Sequence, residues 1–264
     1  MRIGIIGAGN MASALADGLL KSGIVSCESL SISDKNAKSL VSWQECGVFV
    51  SENNLDVISR SDIIIFAVKP GILPFVLEEA KAFSNDKVFV SIAAGTTIST
   101  IESILGDSAK IVRVMPNTPA KVGCGMTVIS PNKNIEEAEL KMAEEIFSAV
   151  GDIVVLEEKH INTATALHGS SPAYVYMLID AMADAGVKHG LPKSVSLKLS
   201  AKAVEGAAKM VMETNEHPQA LKDAVCSPGG TTIAAVCELE KSGFVATVSG
   251  AVDACIKRAD EMSK

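Results

Sequence analysis

The chain has 264 residues, 48% of them hydrophobic and 21% charged, which is enough apolar content for one large domain or two modest ones. Its net charge of -7, pI near 5.2, 4% aromatic content and lack of any Lys/Arg block exclude a nucleic-acid surface and make an anionic membrane an unsuitable partner. Six cysteines (Cys27, Cys46, Cys124, Cys226, Cys237 and Cys255) form no C-x-x-C pair and no Cys/His cluster at metal-ligand spacing, so reduced thiols and no metal are expected.

The N-terminal "MRIGIIGAGN" has too short an apolar run for a signal peptide, and the longest apolar stretch, Ile63 to Val68, is too short to span a bilayer. A soluble, cytoplasmic chain is expected. "IGIIG" predicts a strand followed by a helix from Ala12 to Lys21, and between them Gly7, Gly9 and Ala12 take G-x-G-x-x-A spacing. In that setting Gly7 permits a tight turn, Gly9 lets backbone approach a pyrophosphate, and Ala12 keeps helix and strand close. A second strand, "SLSIS", precedes a helix from Ala37 to Cys46. Asp34 at its end stands where an NAD-type ribose ligand belongs, or else opens the next turn. Ser33 and Lys35 beside it can receive a 2'-phosphate, so both NADH and NADPH are expected to bind.

"DIIIFAV" and a helix from Pro74 to Ala82 follow, then strands in "VFVSIAA", "KIVRVMPN", "MTVIS" and "DIVVLEE". Continuous Ile/Val runs suit strands buried on both faces, hence a largely parallel sheet covered by helices. Three loops after strands open toward the carboxyl edge, where such sheets bind ligands: Ala67, Val68, Lys69 and Pro70; Ala93, Ala94 and Gly95; and Met115 to Pro119. Lys69 is a catalytic cation or a loop charge, and its stiff Lys-Pro setting favours a positional role. Asn117 and Thr118 offer neutral hydrogen-bond groups near the reacting end of the cofactor, or make a simple turn.

From about Lys159 the rhythm changes to helix after helix, broken at Gly169 to Pro172, Gly190 to Pro192, His217 to Pro218, Pro228 to Gly230, and Gly243. "YMLIDAMADAGVKHG" and "LSAKAVEGAAKMVMET" carry small-residue faces suited to close helix packing and a dimer interface. "CSPGGTTIAA" places turn chemistry before an Ala-rich run, with Thr231 and Thr232 on a first helical turn whose free N–H groups suit a carboxylate or phosphate. An ordinary capped loop is the alternative from this stretch alone.

Together "GAGNMA", "AVKPG", "SIAAG", "MPNTPA", "GSSPAYVYMLIDAMADAGVKHGLP" and "HPQALKDAVCSPGGTTIAA" make the chain resemble the pyrroline-5-carboxylate reductases from Arg2 to about Ser263. The resemblance implies an α/β Rossmann-like doubly wound domain over residues 1–157, followed by an all-α dimerisation and substrate-binding domain over 158–264. It implies NADPH- or NADH-dependent reduction of 1-pyrroline-5-carboxylate to L-proline, with dimers that in some members assemble five to a decamer. By position, the cofactor contacts are Ile6, Gly7, Ala8, Gly9, Asn10 and Met11; Ser33 and Asp34; Asn54; Ala67 to Pro70; and Ala93 to Gly95. The substrate contacts are Val225 and Ser227 to Thr232, which include Gly229, Gly230 and Thr231. Thr232 is implied to hydrogen-bond the ring nitrogen, and its hydroxyl can donate or accept there.

Two departures stand out. His168 replaces the family's usual small residue before Gly169, as a packing group or a modulator of the site's pH response. Asp34 stands where many relatives are neutral or basic. The β-hydroxyacid dehydrogenases share the implied architecture but carry a catalytic lysine on the helix opening the second domain, and "INTATALHGSSPAYVYMLID" has none. An intact "SPGGTT" argues against a cofactor-binding protein without catalysis. Cys226 has no activating His or Asn motif and reads as a structural thiol.

Overall fold

A computed structural model describes residues 1–263 of the chain. The Ile/Val-rich runs form strands β1 (Ile3–Ile6), β2 (Leu30–Ser33), β4 (Ile63–Phe66) and β5 (Val88–Ser91), with every residue buried. β3 (Phe49–Ser51), β6 (Lys110–Met115), β7 (Gly125–Pro131) and β8 (Gly151–Val155) complete an eight-stranded sheet of order 3-2-1-4-5-6-7-8. All pairings are parallel except β6 with β7. Alternate side chains feed two cores: Ile3, Ile5, Ile63 and Ile65 enter one face, while Ile6, Ile64 and Phe66 enter the other.

Helices α1 (Asn10–Ser22) and α6 (Glu137–Ser148) cover the first face. The second is covered by α3 (Asn54–Arg60), α4 (Leu73–Ala80) and α5 (Ile98–Leu105). The helix expected from Ala37 to Cys46 is instead a 3-10 turn, Ala37–Ser39, followed by a short α2, Val41–Glu45. Asn36 causes the tight start, because its side chain accepts the Lys38 N–H at 3.2 Å. The helix expected from Pro74 to Ala82 ends at Ala80 and tightens into a 3-10 turn over Lys81–Phe83.

Strand register sets where ligands can bind. Ile6 lies opposite both Ser33 and Phe66, and Phe66 opposite Ser91, so the loops after β1, β2, β4 and β5 leave the sheet side by side. Strand order reverses at β1, between β2 and β4, which opens a crevice at that edge.

The chain packs as two compact units: Met1–Ser170 with the segment from Cys255 onward, and Ser171–Ala254. In the first unit a short α7 (Ile161–Ala164) runs into a wide π-turn, Thr165–Gly169. The second unit holds α8 (Ser171–Lys188), α9 (Lys193–Thr214), α10 (Pro218–Ala224), α11 (Thr231–Lys241) and the start of α12 (Phe244–Met262). A Cβ on Gly186 of α8 would stand 3.0 Å from the Ser196 Cβ of α9, so this helix pair relies on glycine for its close approach. Met177, Met212 and Val245 are 73%, 66% and 69% exposed, and α8 and α9 bury only Ala183, Ser196 and Ser200. Helices with so much apolar surface outside need a partner surface to cover it. Among the described residues no helix is long and apolar enough to cross a membrane.

Candidate active site

Two cavities of the first unit and one helix entrance of the second gather the residues expected at the site. The larger cavity, about 460 Å³, lies at the crevice beside β1 and is lined by Ile6, Gly7, Gly9, Asp34, Asn54, Ala67, Val68 and Lys69 among others. Gly7 has φ 101, and a Cβ there would stand 2.8 Å from the Ala67 carbonyl oxygen, so the chain turns tightly between β1 and α1 only with glycine. Gly9, the N-cap of α1, has no side-chain capping bond and nothing within 4 Å of a Cβ position. Bare first-turn N–H groups behind an open approach fit a dinucleotide pyrophosphate.

Asp34 projects into this cavity with both oxygens oriented: Oδ2 accepts the Ala8 N–H at 2.7 Å and Oδ1 the Asn36 N–H at 2.8 Å. Ser33 is fully buried, and its hydroxyl donates to Asn54 Oδ1 at 2.8 Å. Asn54 in turn donates to Glu79 Oε2 at 2.7 Å, while the Lys35 ammonium donates to the Glu52 carbonyl at 3.1 Å. Lys69 is exposed at the rim, and its carbonyl accepts from the start of α4.

Ile72, the N-cap of α4, and Phe75, Val76 and Glu79 within that helix also line the cavity and were not expected there. In the structure Ile72 and Phe75 are 50% and 70% exposed, apolar side chains turned outward just after a ligand loop.

Ala94 and Gly95 line the second cavity, of about 270 Å³, with Met115, Asn162, Thr165, Ser170, Cys255, Arg258 and Met262. Asn117 is buried, accepting the Met126 N–H at 2.9 Å and donating to the His168 carbonyl at 3.0 Å, so its amide ties the loop after β6 to β7 and to the π-turn. The His168 ring nitrogens lie 2.7 Å from the Ala164 carbonyl and 2.9 Å from the Met115 carbonyl. His168 therefore pins the π-turn to the end of β6. Nearby, buried Arg113 donates to Glu158 at 2.9 Å, and the same carboxylate oxygen accepts the Ile98 N–H at the start of α5.

In the second unit the "SPGGTT" segment forms the expected entrance to α11. Gly229 has φ 68, and Gly230 is the N-cap, with no side-chain capping bond. A Cβ on Gly230 would run into the Ser227 hydroxyl and stand 3.1 Å from the Ser227 carbonyl oxygen, so a larger residue there must turn the serine side chain aside. Thr231 and Thr232 occupy the first turn, Thr231 exposed and Thr232 half-buried, and Val225 is 63% exposed beside them. This entrance offers bare N–H groups and one partly accessible hydroxyl to an anionic ligand.

Residues 158–262 match the family described as pyrroline-5-carboxylate reductase dimerisation, and residues 2–95 match that described as NADP oxidoreductase, coenzyme F420-dependent. The chain is 43% identical to the pyrroline-5-carboxylate reductase of Escherichia coli (strain K12), over 100% of this chain and 98% of that one. It is 39% identical to the enzyme of that name from Pisum sativum, over 99% of this chain and 96% of the relative. Among solved structures, Plasmodium falciparum pyrroline carboxylate reductase with NADP bound is similar with TM-score 0.90 and 36% identity, covering 100% of this chain and 98% of that one.

Proposed function

The chain belongs to the pyrroline-5-carboxylate reductase family, and from that membership we propose how its residues divide the work of the reaction. It is an NAD(P)H-dependent oxidoreductase that reduces 1-pyrroline-5-carboxylate to L-proline, the last step of proline biosynthesis, and its helical half serves dimerisation. Residues 1–157 are assigned to the nucleotide and 158–264 to dimerisation and the imine. The bound nicotinamide supplies hydride to the C5 carbon of the C=N bond.

In the nucleotide cleft, Gly7, Ala8, Gly9, Asn10 and Met11 hold the pyrophosphate at the start of α1, and Asp34 takes the ribose. Ser33 and Asn54 act through each other to fix that wall of the cleft. Ala67 to Pro70 and Ala93 to Gly95 guide the cofactor along the sheet edge, and Asn117 holds the last loop in place. Ile72 and Phe75 give the adenine an apolar wall.

The substrate carboxylate binds the free N–H groups of Thr231 and Thr232, beside Gly230, whose own N–H is taken by the Ser227 carbonyl at 3.0 Å; the helix dipole there favours an anion without a cationic side chain. Val225 and Ser227 shape the same loop. On hydride transfer to C5 the nitrogen must keep or gain a proton, and the Thr232 hydroxyl would hold that nitrogen in place and could relay a proton to it from water. Positioning supplies much of the rate, because a protonated cyclic imine is already electrophilic.

The observation that carries this assignment is the uncapped, glycine-bounded entrance of α11 with Thr232 in its first turn. Thr232→Ala tests it: loss of one hydrogen bond to a charged group predicts kcat/KM about 10- to 100-fold lower, with an unchanged melting temperature. An unaltered kcat/KM removes Thr232 from the reaction. A cytoplasmic setting, a decamer of five dimers, and no nucleic-acid or membrane partner complete the proposal, the last supported by the net charge of -7.

A further inference from the structure

Resting on the placement of the cofactor in the β1 crevice, we infer that Asp34 makes this enzyme prefer NADH to NADPH. An acidic side chain at the end of the second strand of such a fold accepts hydrogen bonds from the adenosine ribose hydroxyls. Asp34 is set for that role: backbone N–H groups of Ala8 and Asn36 hold its two oxygens at 2.7 and 2.8 Å. Each oxygen keeps a further lone pair for a ribose hydroxyl. A 2'-phosphate in the same place brings a second negative charge against a carboxylate that cannot swing away without breaking both bonds.

The neighbouring donors to such a phosphate are committed elsewhere. The Ser33 hydroxyl is buried and donates to Asn54, and the Lys35 ammonium donates to the Glu52 carbonyl. Glu79 adds another carboxylate to the wall of the same cavity. The cavity's other cation, Lys69, stands on the loop after β4 rather than after β2. Asp34 is thus a specificity-determining residue whose charge, more than its size, discriminates between the cofactors.

The test is direct binding without substrate, by fluorescence titration of the purified dimer with NADH and with NADPH, for the wild type, Asp34→Asn and Asp34→Ser. Asp34→Asn keeps the size and one acceptor while removing the charge, and Asp34→Ser also removes the bulk. Wild type is expected to bind NADH at least about tenfold more tightly, and Asp34→Asn to shift the ratio toward NADPH by about tenfold or more, in line with removal of one close like-charge pair. Asp34→Ser is expected to shift the ratio at least as far. Equal or tighter binding of NADPH by the wild type, or an unchanged ratio in Asp34→Asn, overturns the inference while leaving the nucleotide site in place. Failure of both cofactors to bind overturns the placement of the nucleotide and the inference with it.

Discussion

Gly7 and Gly9 stand two residues apart in one loop, yet alanine at each is expected to fail in a different way. At Gly7 the backbone has φ 101, and the added Cβ would stand 2.8 Å from the Ala67 carbonyl oxygen and 3.2 Å from Val68 Cγ1. The backbone strain costs about 1–3 kcal/mol and the overpacking about as much again, so Gly7→Ala loses roughly 2–6 kcal/mol of a typical 5–15. At Gly9 φ is -75 and nothing lies within 4 Å of the Cβ position. The lower unfolded-state entropy of alanine and its poorer N-cap offset each other, which leaves Gly9→Ala within about 1 kcal/mol of wild type. In the proposed placement of the cofactor, the pyrophosphate approaches through that open space. Losing one charge-assisted hydrogen bond there weakens cofactor binding about 10- to 100-fold.

The single tryptophan, Trp43, is 6% exposed in the core of the nucleotide-binding unit, so its fluorescence reports urea unfolding of that unit. Titration with NADH gives the affinity. Full-strength cofactor binding by Gly9→Ala, or unchanged urea stability in Gly7→Ala, refutes the roles assigned to these two glycines.

Glu158→Ala strands the buried Arg113 guanidinium and frees the Ile98 N–H, so urea stability should fall by about 3–5 kcal/mol; a loss under about 1 kcal/mol contradicts the pairing. His168→Ser removes the ring contact that pins the π-turn to Met115 of β6 and the one to the Ala164 carbonyl of α7, and amide exchange of residues 165–169 should quicken with little change in the β1 strand. Equal protection in the two proteins would mean that the ring does not hold that turn. The Arg2 guanidinium, hydrogen-bonded to Asp62 at 2.6 Å, holds that carboxyl below its usual range. A carboxyl depressed in the folded state stabilises it above the ordinary carboxylate value and loses that contribution as pH falls. Both side chains are largely in water, so Asp62→Asn should lower stability only slightly at neutral pH and leave it unchanged at acid pH where the carboxyl is protonated, and a large loss at neutral pH contradicts this reading.

Much of the nucleotide-binding half is legible in the sequence because its signals are local. Short β-branched runs such as Ile63 to Phe66 suit strands buried on both faces, and Gly7, Gly9 and Asp34 are marked by their spacing from them. β3 was missed because it spans only Phe49–Ser51 and is only half-buried. Phe75 and Glu79 were missed because the pattern of α4 reads as a core helix through Leu73, Val76, Leu77 and Ala80; only strand order shows that its other face borders the crevice.

Longer-range partners left no trace in the sequence. His168 meets the Met115 carbonyl from 53 residues away, which no local pattern signals. In the helical half, small residues correctly indicated close packing, as at Gly186 against Ser196. The exposure of Met177, Met212 and Val245 shows that the remaining apolar faces await a second chain, which one sequence cannot display.

The entrance of α11 is tested most directly by a crystal structure of the enzyme with cofactor and L-proline. The proline carboxylate is expected on the N–H groups of Thr231 and Thr232, with the Thr232 hydroxyl at hydrogen-bond distance from the ring nitrogen. A proline carboxylate held elsewhere, with the first turn of α11 facing only water, would contradict it.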